Sequence, residues 1–466
     1  MLTEIQPAKP SSFDEHHPPS KDLLSDCVHC GFCLPACPTY VLWGEEMDSP
    51  RGRIYMMAKA AQGEAPLDQN FRTHMDQCLG CMACMTACPS GVQYDKLIED
   101  SRAQVERNIP RTTADSLFRK LLFATFPYPN RLRLMAGPLL LYQRSGLQSL
   151  IRASGLLKLL PKRFAAMEAL LPAVPARFTW TMPERVAPAT PVRGRVGMLT
   201  GCVQQVFFSH VNAATARVLS AEGFEVIIPT GQPCCGALMV HSGLEDQAAA
   251  MARNLISLFE VASVDSIVIN AAGCGSTMKE YGHLLRDDPQ WAARARAFSA
   301  KCKDITEVLS NVPSMAPRHP LPLRIAYHDA CHLRHAQGIH LQPRQLLAEI
   351  PRLEVAEIAE ASLCCGSAGV YNLLQPEPAQ ELGARKASHL LDTHSQAVVS
   401  ANPGCLLQLM SSLSRRGEKA MPVFHMVELL DVSIRGLTAE QVLNGEKSLN
   451  LSLSPYIPPE AIRPSA

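Results

Sequence analysis

A chain of 466 residues, 47% of them hydrophobic and 19% charged, holds material for about three domains of roughly 150 residues and excludes a disordered or fibrous protein. The net charge of +1 provides no overall attraction to nucleic acid, and no window reaches the 18 or so uncharged apolar residues of a membrane span. The unusual feature is the 17 cysteines, eight within the first 90 residues and nine after position 200.

Residues 1–20 hold several Pro, Ser and His residues without apolar periodicity and are expected to form a mobile tail. From residue 21 to about 105 the chain is organised by a pattern that occurs twice, C-x2-C-x2-C-x3-C-P: Cys27, Cys30, Cys33, Cys37, Pro38 and Cys78, Cys81, Cys84, Cys88, Pro89. Two-residue gaps let one turn aim three soft thiolates at one iron-sulfur cube, and in such paired runs the fourth thiolate crosses to the other cluster. Cys27, Cys30, Cys33 and Cys88 are therefore expected to hold one 4Fe-4S cluster, and Cys78, Cys81, Cys84 and Cys37 a second. Structural zinc also uses C-x2-C pairs but does not call for the third cysteine. Disulfides are disfavoured, because eight closely spaced cysteines on an N-terminus without the order of a secretion signal are expected in a reducing, cytoplasmic compartment. Between the runs, Ser49-Pro50 reads as a helix cap and first turn leading into Arg51 to Ala60. The connector is thus helical, and Arg51, Arg53 and Lys59 are available either to offset cluster charge or as solvated helix charges.

From Arg102 to Arg185 there are 14 Lys and Arg against 4 Asp and Glu, carried on Leu-rich turns punctuated by prolines. Residues 106–190 are expected to be short amphipathic helices. They could dock on a partner, contact the cytoplasmic face of the inner membrane peripherally, or pack as a linker on their own domains.

After Pro191 short β-rich runs alternate with helices, the pattern of parallel α/β units. This half repeats itself: Gly201-Cys202 is matched by Ala330-Cys331, Cys234-Cys235-Gly236 by Cys364-Cys365-Gly366, and Cys274 by Cys405. Two repeats, 191–315 and 316–435, are expected, followed by a tail over 436–466 with an amphipathic patch around Leu437 to Leu443. Each paired cysteine follows a predicted strand, where open α/β sheets bind ligands, so each half can gather four thiols into a further cluster site. Gly236 and Gly366 would leave room for a cluster. Cys302 has no counterpart and is expected to pack. His328, His332, His335 and His340 could relay protons or meet a quinone, but exposed or capping roles are favoured.

The two cysteine runs, the helical connector and the paired Cys-Cys-Gly repeats resemble the CCG family of iron-sulfur oxidoreductase subunits. Cys30 to Tyr40, Ser49 to Arg53, and Tyr327-His328-Asp329-Ala330-Cys331-His332 most resemble its glycolate oxidase iron-sulfur subunits. That resemblance implies an α+α/β architecture, an α-helical dicluster ferredoxin domain followed by the connector and two parallel α/β cysteine-rich halves. It also implies an electron-transfer subunit of a flavin-dependent glycolate (2-hydroxy acid) dehydrogenase complex, with FAD on partner flavoprotein subunits and electrons passing toward the respiratory chain, a quinone being a candidate acceptor. Related complexes for lactate, glycerol-3-phosphate or heterodisulfides share the modules and form the alternative. In the heterodisulfide pattern each repeat closes with C-x2-C, whereas here Gly275-Ser276-Thr277 follows Cys274 and Leu406-Leu407-Gln408 follows Cys405. The sequence has no dinucleotide-binding fingerprint, P-loop or nucleophile elbow. Oxidation of a hydroxy acid needs an organic cofactor, so no catalytic residue for that step is expected on this chain.

Overall fold

The computed structural model describes residues 10–172, 174, 182–416 and 421–444. Among them no strand precedes residue 185, so both N-terminal cysteine runs lie in all-helical structure. The expected cap forms: Ser49 Oγ accepts from Gly52 N at 3.0 Å and Pro50 opens the helix Pro50–Ala61. Gly52 is required by packing, because a Cβ there would lie 2.0 Å from Glu46 O. Helices Gln69–Gln77 and Tyr94–Asn108 complete the domain, burying Met57, Phe71, Met75, Leu97 and Ile98. Of the expected mobile tail, residues 1–9 lie outside the described residues, but 10–20 are packed in place. Phe13 is buried against Phe71, and Asp14 accepts from Gln104 and Arg107.

The connector forms helices Thr113–Thr125, Pro129–Arg144, Leu147–Ser154 and Lys162–Ala169, with Pro138 inside the second rather than ending it. Much of its basic surplus is used within the chain. Arg111 pairs with Asp76 and Glu106, Arg163 with Asp115, and Lys162 with Glu377. These contacts are those of a packed connector. Leu134, Leu141, Leu150 and Leu159 nevertheless stay exposed beside exposed Arg144 and Lys158.

The two cysteine-rich halves build sheets of one topology. In the first, β1 (Arg185–Val186), β2 (Gly194–Met198), β3 (Phe224–Ile227), β4 (Ser266–Ile269) and β5 (Cys302–Asp304) are ordered β1-β3-β2-β4-β5, parallel except for β1. In the second, β6 (Leu323–Tyr327), β7 (Leu353–Ala356), β8 (Ala397–Ser400) and β9 (Val423–His425) run β7-β6-β8-β9, all parallel. The order β3-β2-β4-β5 thus recurs as β7-β6-β8-β9. The repeat extends to the caps after the last strands, where Asp304 with Glu307 and His425 with Glu428 each close a capping box. The halves meet beyond the carboxyl ends of β4 and β8, where Ala272 N donates to Ala401 O at 3.2 Å. The patch at Leu437 to Leu443 forms the helix Ala439–Leu443, capped by Thr438; residues 445–466 lie outside the described residues.

Candidate iron-sulfur centres

The turns that carry the first run leave it near the surface. Cys30 is exposed, Cys27, Cys33 and Cys88 are half-buried, and Val28 and Phe32 expose 68% and 66% of their surface around them. Burial pushes the Cys27 thiol up, and charge on Cys88 and Cys30 adds to that rise. Cys88 therefore lies with the first run although it ends the second.

The other set is interior, with Cys37, Cys78, Cys81 and Cys84 all buried. Burial raises the Cys84 thiol, and charge on Cys81, Cys78 and Cys37 raises it further. Burial works against ionisation of Cys78 too, but the guanidiniums of Arg53 and Arg102 outweigh it and hold this thiol below its ordinary value. Gly80 N also donates to Cys78 Sγ at 3.3 Å. Buried cations and an N–H aimed at sulfur suit a bound anion, so the donor set fits an iron-sulfur cluster.

Of the three basic residues between the runs, Arg53 has the charge-offsetting place. It is fully buried and donates to Asp48 Oδ1 at 3.0 Å, Thr39 Oγ1 at 3.2 Å and His74 O at 2.7 Å. Arg51 pairs with Glu46 and donates to His29 O, while Lys59 pairs with Glu64 near the surface.

In the first cysteine-rich half, Cys202, Cys234 and Cys235 are buried, Cys274 is half-buried, and the thiols form a chain in which Cys234 contacts Cys202 and Cys235, and Cys235 contacts Cys274. The second half repeats the chain: Cys331 Sγ lies 3.9 Å from Cys364 Sγ, Cys364 contacts Cys365, and Cys365 contacts Cys405. Strand ends thus bring all eight residues into their two expected groups. The glycines serve a different purpose from the expected one. Gly236 and Gly366 are left-handed (φ 83° and 89°), and the space beside them is taken by Ala248 and Ala379, whose backbone O would lie 2.6 Å from a Cβ at Gly366. Cys302 packs in β5 and donates to Phe298 O.

The second half adjoins the interior set. Leu79, Cys81 and Ala83 pack in one apolar cluster with Cys331, Cys364 and Tyr371, and charge on Cys331 raises the Cys81 thiol after burial itself. His335 ties the same seam, bonded to Thr86 Oγ1 at 2.8 Å and to Ser362 O at 2.9 Å. Of the four histidines expected to be exposed or capping, only His340 is exposed, and it precedes the helix Leu341–Ala348; His328, His332 and His335 are buried.

Sequence reasoning missed a narrow cleft, about 50 Å³ in volume, between the helix Tyr94–Asn108 and the first cysteine-rich half. Its wall includes Met82, adjacent to Cys81, and the rings of His241 and His332, 4.9 Å apart and tilted by 49° to each other. Burial and the charge of Arg102 lower His241 to about 4, and burial raises Glu99 to about 8, leaving neutral imidazoles beside a protonated carboxyl at neutral pH. His241 Nδ1 faces Glu99 Oε1 at 3.4 Å, and His241 Nε2, His332 Nε2 and Thr277 Oγ1 are buried without hydrogen-bond partners. Arg102 links cleft to thiols, donating to His241 O at 3.0 Å and to Cys78 O. These residues are scattered singly through the sequence, so no local spacing marks them.

Residues 23–92 match the family described as a 4Fe-4S dicluster domain, 114–171 the linker region of the glycolate oxidase iron-sulfur subunit, and 196–279 and 325–410 a cysteine-rich domain. The chain is 40% identical over 413 residues to the probable glycolate oxidase iron-sulfur subunit of Bacillus subtilis, covering 87% of this chain and 93% of that one. It is 34% identical to the glycolate oxidase iron-sulfur subunit of Escherichia coli, covering 84% and 90%. Lactate utilization protein A of an Exiguobacterium species is 28% identical over 52% of this chain and 98% of its own length.

Proposed function

Because the chain belongs to the glycolate oxidase iron-sulfur subunit family, we propose that it is the electron-transfer subunit of a glycolate dehydrogenase complex, receiving electrons from a flavoprotein partner. The observation that carries this is the file of thiols running from exposed Cys30, through the interior set at Cys81, to Cys331 and Cys364 of the second cysteine-rich half. Cys27, Cys30, Cys33 and Cys88 would hold one 4Fe-4S cluster, Cys78, Cys81, Cys84 and Cys37 another, and the cysteine-rich halves further metal. Bound there, such groups supply single-electron relay and no hydride chemistry. The chain's own residues favour the thiolate form of Cys78, through Arg53 and Arg102, and bury the interior set. We place the domains at 21–105, with 10–20 packed on it, 106–190, 191–315 and 316–435.

We assign the flavoprotein contact to the exposed rim at Val28 and Phe32, the apolar surface next to the exposed thiols. Phe32→Glu, mixed with the flavoprotein and glycolate, should leave flavin reduction intact while bleaching of this chain slows at least tenfold. An unchanged bleaching rate would move the contact elsewhere, and bleaching with lactate but not glycolate would assign the complex to lactate.

A quinone is the acceptor class we place at the mouth of this cleft, since its carbonyls need hydrogen-bond donors and its reduction takes up protons. Thr277, His241 and His332 offer buried polar atoms in need of partners, and Glu99 holds a proton near neutrality. His241→Ala is expected to raise KM for a soluble quinone severalfold with iron content unchanged, while reduction of an artificial one-electron acceptor stays the same. An unaltered KM would remove the quinone from this cleft. Among the described residues no helix is long and apolar enough to cross a membrane, and the exposed leucines of the connector are where we place peripheral contact with the membrane that stores such a quinone.

A further inference from the structure

The two cysteine-rich halves share a strand order but differ at one position beside their thiols. Leu199 and His328 occupy the same place, the residue after β2 and after β6, three positions before Cys202 and Cys331. Both make the same backbone hydrogen bond across the sheet, Leu199 N to Val268 O at 3.0 Å and His328 N to Val399 O at 2.8 Å. In the first half the position is apolar and seals the core, with Leu199 1% exposed. In the second it carries an imidazole that is equally hidden, also 1% exposed.

A buried imidazole needs a use for both ring nitrogens, yet His328 Nδ1 has no hydrogen-bond partner. One ring nitrogen of His328 and the sulfurs of Cys365 and Cys405 all lie within 4.8 Å of one another. Three ligands bound at about 2.0–2.3 Å to a single ion stand about 3.3–4.0 Å apart, so an inward shift of at most about 1.5 Å closes this set on one metal atom. Cys364 joins through its contact with Cys365, and Asn402 Nδ2 donates to Cys405 Sγ at 3.5 Å. Lys386, 1% exposed and bonded to Glu360 O at 2.6 Å, is the nearby buried cation that interacts with Cys365 and Cys364.

We propose that His328 is a metal ligand, so that the second cysteine-rich half holds a mixed imidazole-thiolate centre while the first, with Leu199, offers thiolates alone. The inference rests on the assignment of metal to these halves made above. It also explains how a half that lacks the second cysteine of a closing C-x2-C can complete its ligand set: the missing donor arrives from the end of the central strand. Replacing thiolate by neutral imidazole removes negative charge from a centre and raises its potential. The half next to Cys81 would then be the easier of the two to reduce.

The test uses the full chain purified without oxygen, with iron and zinc counted before and after exposure to a chelator. His328→Ala should lose, at least tenfold faster than the parent, the metal held beyond the two N-terminal clusters, whose resonance signals and whose share of the iron stay as they were. His328→Cys, which restores a soft donor, should hold that metal. X-ray absorption at the edge of that metal should show imidazole scattering in the parent and not in His328→Cys. If His328→Ala keeps the metal with unchanged chelator resistance, the histidine is not a ligand, though the half remains a metal centre. If instead the metal count of the parent equals that of Cys364→Ser/Cys365→Ser, the half holds no metal, and both the assignment and the inference fall.

Discussion

Cys81→Ala is expected to lower iron and acid-labile sulfide from about eight to about four per chain at the ferredoxin-type sites, and to stop glycolate-dependent reduction of the acceptor while the flavoprotein is still reduced. Cys81 is the thiol with two associations. It belongs to the interior set with Cys37, Cys78 and Cys84, and it packs on Cys331 and Cys364 of the second cysteine-rich half. Its removal breaks the file of thiols where the two domains meet. The surface set with Cys27, Cys30, Cys33 and Cys88 should keep its own iron, seen as one remaining resonance signal after dithionite. Loss of all eight irons with a folded chain would mean that the sets are not independent, and continued acceptor reduction would show that electrons bypass Cys81.

Arg53→Met should destabilise the N-terminal domain by about 3 kcal/mol, because removing one partner of a buried ion pair leaves Asp48 with only His74 Nδ1, 3.0 Å from its Oδ1, beside the charge. Asp48, whose side chain is 5% exposed, would keep its charge without the guanidinium that now lies 3.0 Å away. His74 O and Thr39 Oγ1 would lose a donor each. Denaturant unfolding of the cluster-loaded chain measures the loss. The variant should also show a lowered reduction potential, since a buried positive charge beside Cys78 and Cys37 favours the electron-rich state. Lys59→Met, at a residue paired near the surface with Glu64, should change neither quantity. Equal effects of the two substitutions would refute the special place given to Arg53.

The places where sequence reasoning fell short share a cause. Ser49, Pro50 and the strand before each cysteine pair act through neighbours a few residues away, and they form where expected. Phe13, expected in a mobile tail, is held by Phe71, and the basic charges of Arg111, Arg163 and Lys162 are taken by Asp76, Asp115 and Glu377. Each of those partners comes from another element, and composition alone does not reveal it. The same holds for His328 and His332, which look like polar residues in a solvated turn: His328 is buried at the end of β6 beside Val399, Cys365 and Cys405, and His332 against His241 of the first half.

Cysteine spacing, the duplicated second half and the type of each domain were settled by the sequence itself, because ligand turns, strand periodicity and helix caps depend on residues close together along the chain. Only the tertiary structure decided that Cys81 lies against Cys331, that His241 meets His332 beside Glu99, and that His328 comes within 4.8 Å of Cys365 and Cys405. Those neighbours come from strands and helices distant in sequence, and their approach is set by the packing of whole domains.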